Sequence, residues 1–274
     1  MRNHAHLVVR LPRPASQGDG DFQWIVDPTM HPEADNATWY CDGSLLFGKW
    51  APLRATGFAI AVVAPDGSLL GFGMGKPPHW CRTAAAAAEA WAIHIVLSFT
   101  IDIPQIRTDC QSLLATATSG TQQATDASRP LARIWKHIAD RLDGSVSILT
   151  TSGKLVWMPA HQTFHMIGQK RLSNGAKLTS VDWRSNRLVD LLAKIAAPRG
   201  TDAVEAIKFL ESAQAALKHA AELLGRVTHA ANNFEVVTID ELGARHTTIK
   251  RDAMQAPRTY LQAPVRNPTS WTRP

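Results

Sequence analysis

Four acidic residues and one histidine carry the chemistry this chain could do: Asp42, Glu89, Asp109, Asp190 and His161. Carboxylates and an imidazole are groups that hold hard cations and move protons. Asp42 lies in the run Trp39-Tyr40-Cys41-Asp42-Gly43-Ser44, whose aromatic and small apolar lead-in reads as strand interior. Gly43 marks the end of regular pairing, so the spacing predicts a solvent-open aspartate at a strand tip. A glycine there lets another molecule's backbone come close. Ile103 to Cys110 repeats the pattern around Asp109. Glu89 stands among alanines, and its same-face neighbours Ala85, Ala86, Ala92 and Ile93 offer no cation. Such a carboxylate is costly unless it reaches the helix edge or something external neutralises it. Asp190 falls between Asn186 and Lys194, so a solvated ion pair competes with a functional role. His161, after Pro159-Ala160, has the plain alternative of an ordinary loop histidine.

These residues need elements to hold them. A strand is expected to run to Asp42, a second over Gly57 to Val63 and a third over Leu69 to Met74, the last two joined at Pro65-Asp66-Gly67-Ser68. Short links imply an antiparallel meander. Ala84 to Phe99 predicts a helix apolar nearly all round, hence buried against a sheet. A short strand then ends at Asp109, and a helix runs from Gln111 to about Ala117. Leu131 to Leu142 is amphipathic. Val146 to Thr150 and Leu155 to Met158 both read as strand, either as a hairpin or as one interrupted edge strand. A long polar and basic loop is expected from Gln162 to Ser185, followed by a helix over Asn186 to Ala197.

The chain has 274 residues, 45% of them hydrophobic, enough for one ordinary domain with extensions. Its 29 basic against 23 acidic residues lean weakly towards an anionic partner such as nucleic acid. Cys41, Cys81 and Cys110 form no CxxC pair, which argues against a zinc ribbon or a disulfide framework and suits a reducing compartment. The start lacks a signal-peptide core, and Ala84 to Phe99, broken by Glu89 and His94, is too short to span a bilayer. The expectation is a soluble intracellular protein of cytoplasm or nucleus, with no membrane partner.

In order, the motifs are Cys41-Asp42-Gly43-Ser44, Glu89 in the first long helix, Thr108-Asp109-Cys110-Gln111, Ala160-His161, and Asn186-Arg187-Leu188-Val189-Asp190-Leu191-Leu192-Ala193. Together they resemble the type 1 ribonuclease H domain, found alone and in retroelement polyproteins, over about residues 37–197. The resemblance implies an α/β fold with a mixed five-stranded sheet flanked by helices. It implies endonucleolytic hydrolysis of the RNA strand of RNA–DNA hybrids, leaving 5′-phosphate and 3′-hydroxyl ends. Asp42, Glu89, Asp109 and Asp190 would then bind two Mg²⁺ ions, with Mn²⁺ as a substitute, and His161 would assist proton transfer or product release. Oxygen ligands suit such hard cations, and paired cations neutralise both the attacking and the leaving oxygen. Gly43, Ser44 and Gln111 match family positions near the substrate. The family often has asparagines just before the helix glutamate, where this chain has Ala85 and Ala86. Lys170, Arg171, Lys177 and Arg184 are expected to contact phosphates, a solvated loop being the alternative. A non-catalytic nucleic-acid-binding module on the same fold is the competing function.

Outside that domain, residues 1–36 read as an irregular leader rich in Pro and Gly. Asp202 and Glu205 look like a capping box opening a helix within 198–225 that Gly225 closes. Its Ala203, Ala206, Leu210, Ala213, Leu217, Ala220 and Leu224 form a narrow seam that could join a second helix, from the same or another chain, or pack back. Residues 226–274 are expected to be largely disordered.

Overall fold

The computed structural model describes residues 18–31, 34, 36–49, 53–81, 84–199 and 203–250. The chain divides into two compact units, Met1–Phe209 and Leu210–Pro274. In the first, strands β1 (Asp21–Val26), β2 (Thr38–Leu46), β3 (Ala55–Val63) and β4 (Leu69–Lys76) precede helix α1 (Ala85–Phe99) and strand β5 (Gln105–Thr108). Helices α2 (Gln111–Thr118), α3 (Thr121–Ala124), α4 (Ala132–Arg141) and α5 (Ile148–Thr151) follow, then strand β6 (Leu155–Trp157) and helix α6 (Ser180–Ala196). The sheet order is β1-β4-β3-β2-β5-β6. Strands β1 to β4 pair antiparallel, whereas β5 runs parallel to both β2 and β6. This is a mixed α/β sheet with helices on both faces.

Strand β3 is buried at every position, which is why it reads as a continuous apolar run rather than an alternation. Its residues alternate between two cores. Phe58, Ile60 and Val62 join Trp39, Cys41 and the α1 and α4 side chains, while Ala59, Ala61 and Val63 join Tyr40, Val189, Leu192 and Ala193. The second face is lined by alanines because α6 lies close. A Cβ at Gly57 would stand 2.4 Å from the Ala193 carbonyl oxygen.

The five expected strands are present, and a sixth extends the sheet. Strand β1 lies within the leader expected to be irregular. Phe22 and Trp24 point inward at period two, and Phe22 stacks on Phe58 with ring centroids 5.7 Å apart. The Pro and Gly density around it hid that alternation. Strand β2 also passes beyond Asp42, pairing with β3 as far as Leu46. Residues 148–151 form a helical turn, not a strand, because the Thr151 N–H finds the Ser147 carbonyl at 2.9 Å. Helix α6 begins six residues before the expected Asn186, since Thr179 and Asp182 make a reciprocal capping box. Asp182, expected on the loop, is buried there and accepts a 2.8 Å bond from the Tyr40 hydroxyl. Among the described residues, no helix is long and apolar enough to cross a membrane.

Helix α7 (Ala203–Asn232) runs on through Gly225, which lacks the left-handed conformation that would close it. One glycine among good helix formers costs only about 1 kcal/mol. The expected cap at Asp202 lies outside the described residues. In the second unit, β7 (Phe234–Ile239) and β8 (Arg245–Lys250) form an antiparallel hairpin within the tail expected to be disordered. Its turn is held by Asp240, whose carboxylate accepts from the Leu242 and Ala244 amides at 3.0 and 2.9 Å. Residues 251–274 lie outside the described part.

Candidate active site

Strands β2 and β5 run parallel, and their last paired residues are Cys41 and Thr108. Asp42 and Asp109 are the next residue on each, so both carboxylates leave the sheet at the carboxyl ends of a parallel pair. Beyond that point β2 keeps only its antiparallel partner β3. A crevice opens at such places in α/β sheets. Asp42 is thus a tip residue towards β5 and an interior residue towards β3. It is also buried rather than open to solvent.

Glu89 reaches the same place from α1. Gly43 makes this possible: a Cβ there would stand 2.4 Å from the Glu89 backbone nitrogen and 2.6 Å from the Ala85 carbonyl oxygen. The glycine therefore admits the chain's own helix. Replacing Gly43 with alanine is expected to push α1 off β2 and destabilise the unit by about 1–3 kcal/mol, an overpacking cost. Thermal denaturation of the purified variant checks this, and an unchanged melting temperature would contradict it.

Oxygens of Asp42, Glu89 and Asp109 lie within 4.8 Å of one another. Glu89 is only 3% exposed. Among the described residues no cation pairs with it, and its carboxylate accepts from the Thr108 hydroxyl and from the Cys110 amide at 3.2 Å. Burial, then Asp109 and Asp42, hold its carboxyl well above the usual range. Burial pushes Asp42 up to about 8, reinforced by Asp109 and Asp190 and opposed by the Gly43 amide and Lys194. Asp109 is raised by burial, while Asn186 and His161 pull it down. In all three the neutral carboxyl is favoured more than in a free acid, and a positive charge placed among them would favour the ionised forms instead.

Asp190 borders the same cavity of about 380 Å³, together with Ser44, Gly43, His161 and Lys194. Its carboxylate sits 2.7 Å from the Lys194 ammonium, so the ion pair suggested by the spacing is formed. His161 is exposed, at a positive φ of 49°, on the turn that overhangs the cavity. Gln111 opens α2 and is exposed, without bordering the cavity. Lys170, Arg171 and Lys177 are exposed on the loop before α6, and the Arg171 guanidinium donates to the Gly175 carbonyl at 2.7 Å. Arg184 is on α6, not on that loop, and faces a neighbouring groove.

Two supports had no signal of their own in the sequence. Thr108 donates to Glu89, and the Asn186 amide donates to Asp109 at 3.2 Å. Each lies within one of the motifs, but only the contact geometry gives it a role. Trp157 adds a third support, its indole N–H donating to the Asp109 carbonyl at 2.9 Å.

No family model matches the chain, and no curated protein matches it. Similar solved structures include the foamy viral protease-reverse transcriptase in complex with RNA/DNA hybrid, at 16% identity over 71% of this chain and a TM-score of 0.41. This chain spans 23% of that one. The solution structure of the PFV RNase H domain is 16% identical over 59% of this chain and 94% of that one, at a TM-score of 0.42. LC9-RNase H1, described as a type 1 RNase H with the type 2 active-site motif, is 11% identical over 60% and 74%, at 0.37. On its own strand order and helix placement, the first unit has a ribonuclease H-like fold.

Proposed function

We propose that the chain is a metal-dependent endonuclease that hydrolyses the RNA strand of RNA–DNA hybrids to 5′-phosphate and 3′-hydroxyl ends. The observation that carries this is the convergence of Asp42, Glu89 and Asp109 within 4.8 Å in a solvent-reachable crevice. An all-carboxylate donor set whose members repel one another fits a hard divalent ion such as Mg²⁺. Asp42, Glu89 and Asp109 would hold it, with Asp190 contributing to a second ion once released from Lys194. Bound divalent ions supply charge neutralisation at the attacking and leaving oxygens of a phosphodiester.

The chain's own residues do the rest in this reading. Thr108 and the Cys110 amide fix Glu89, and Asn186 and Trp157 fix Asp109, so two of the carboxylates keep their aim before substrate arrives. His161, on its exposed turn, can reach the cavity rim and move a proton there. Gly43 and Ser44 border the cavity where a ribose would lie, and the basic residues 170, 171, 177 and 184 follow phosphates farther out.

A second reading is a binding module that keeps the fold without turnover. The Asp190–Lys194 pair and the alanines at 85 and 86 on the cavity wall favour it. Incubating the protein with labelled RNA–DNA hybrid, duplex RNA and duplex DNA in Mg²⁺ separates the two. Cleavage confined to the RNA of the hybrid is the expected result. Binding with no cleavage in Mg²⁺ or Mn²⁺ would leave the module.

A further inference from the structure

A second and larger cavity, of about 580 Å³, opens beside the acidic one and shares His161, Asp190 and Lys194 with it. One wall is α6. Arg184, Arg187, Leu191 and Lys194 recur along it at helical spacing, a stripe about 15 Å long. The groove thus presents three cationic side chains against one carboxylate, Asp190, which Lys194 already pairs. Its aromatic element is Trp183, held by a 2.8 Å bond from its indole N–H to the Gln162 carbonyl. The Arg187 guanidinium lies 4.8 Å over the Trp183 ring, and the exposed Phe164 meets that ring edge-on at 5.7 Å.

A cationic groove with aromatic rings beside it is the pattern that binds single-stranded nucleic acid: cations for its phosphates, flat faces for its bases. The volume suits one or two nucleotide-sized groups. We infer that this groove holds the unpaired continuation of the nucleic-acid strand that passes the acidic centre, with Arg184 and Arg187 on its phosphates and Trp183 and Phe164 against its bases. The direction of the strand rests on the nuclease reading. The affinity of the groove for single strand does not.

Fluorescence anisotropy of the full chain carrying Asp42→Asn, chosen to suppress cleavage, compares blunt hybrids with hybrids bearing a four-nucleotide 5′ or 3′ overhang. One of the two overhangs is expected to tighten binding about tenfold. Arg184→Ala/Arg187→Ala should erase that gain and lower the salt slope by about 1.4, at about 0.7 per single-strand phosphate contact. Arg184→Lys/Arg187→Lys should keep most of the salt slope, because both charges are retained, and lose part of the overhang gain, because Arg187 stacks on Trp183. Lys170→Ala/Lys177→Ala, on the loop, should keep the overhang gain. The inference is overturned if neither overhang helps, if the double alanine variant retains the gain, or if the loop variant loses it instead. Failure of the nuclease reading shows up separately, as intact hybrid in the cleavage assay with unaltered protein.

Discussion

Asp42→Asn is expected to lower Mg²⁺-dependent hybrid cleavage by on the order of 10³-fold while making the metal-free protein more stable. The two effects share one cause. Asp42 is 6% exposed and its carboxyl is pushed up to about 8, chiefly by burial and then by Asp109 and Asp190. Removing it takes away one of three converging carboxylates, and a loss of 10³ corresponds to about 4 kcal/mol of transition-state stabilisation. The same substitution removes a group that ionises at a cost. A shift of this size would be about 6 kcal/mol if nothing relaxed. Water entry and side-chain movement reduce that, and about 2 kcal/mol, or about 4–8 °C in melting temperature, is the expected gain above pH 8. Single-turnover cleavage and calorimetry in EDTA read the two effects. Loss of activity together with loss of stability would instead mark Asp42 as a structural residue.

The second large effect is a reversal of pH dependence by divalent metal. For Asp42, Glu89 and Asp109 the folded-state carboxyl titrates above its unfolded counterpart. The stability contributed by their neutral forms is fully present below the unfolded value, about 4. It is lost as pH rises, for Asp42 through about 8. Metal-free protein should therefore melt progressively lower from pH 4 to pH 8. Saturating Mg²⁺ is expected to act in the opposite direction, because an ion held by the ionised acids would compete with protons. The gap in melting temperature between Mg²⁺ and EDTA should be near zero at pH 5 and several degrees at pH 8. Parallel curves would contradict a cation site built from these three groups.

Much of this arrangement was legible in the residues. Asp42 and Asp109 read as strand-end acids because each follows an apolar run, and the parallel β2–β5 pair places them side by side. Glu89 stood out because alanines cannot solvate it. What the chain could not announce was depth: a residue followed by glycine looks like a solvent-open turn, yet Gly43 is where α1 presses onto β2. Nor could spacing tell whether Asp190 would face the acids or Lys194. It borders the cavity and pairs with the lysine, since both geometries are available one turn apart on α6. Strand β1 was hidden by local Pro and Gly signals, and α6 began early because a Thr179–Asp182 box outweighed a polar composition. Boundaries set by tertiary partners escape local reading, whereas elements with a strong period of their own do not.

Anomalous diffraction from a crystal of the protein soaked in Mn²⁺ near pH 8 decides whether Asp42, Glu89 and Asp109 form a divalent-cation site. A peak bounded by these three carboxylates is expected, with oxygens at about 2.1 Å as for a small octahedral ion. An empty crevice at saturating Mn²⁺, or a peak on other residues alone, would contradict it.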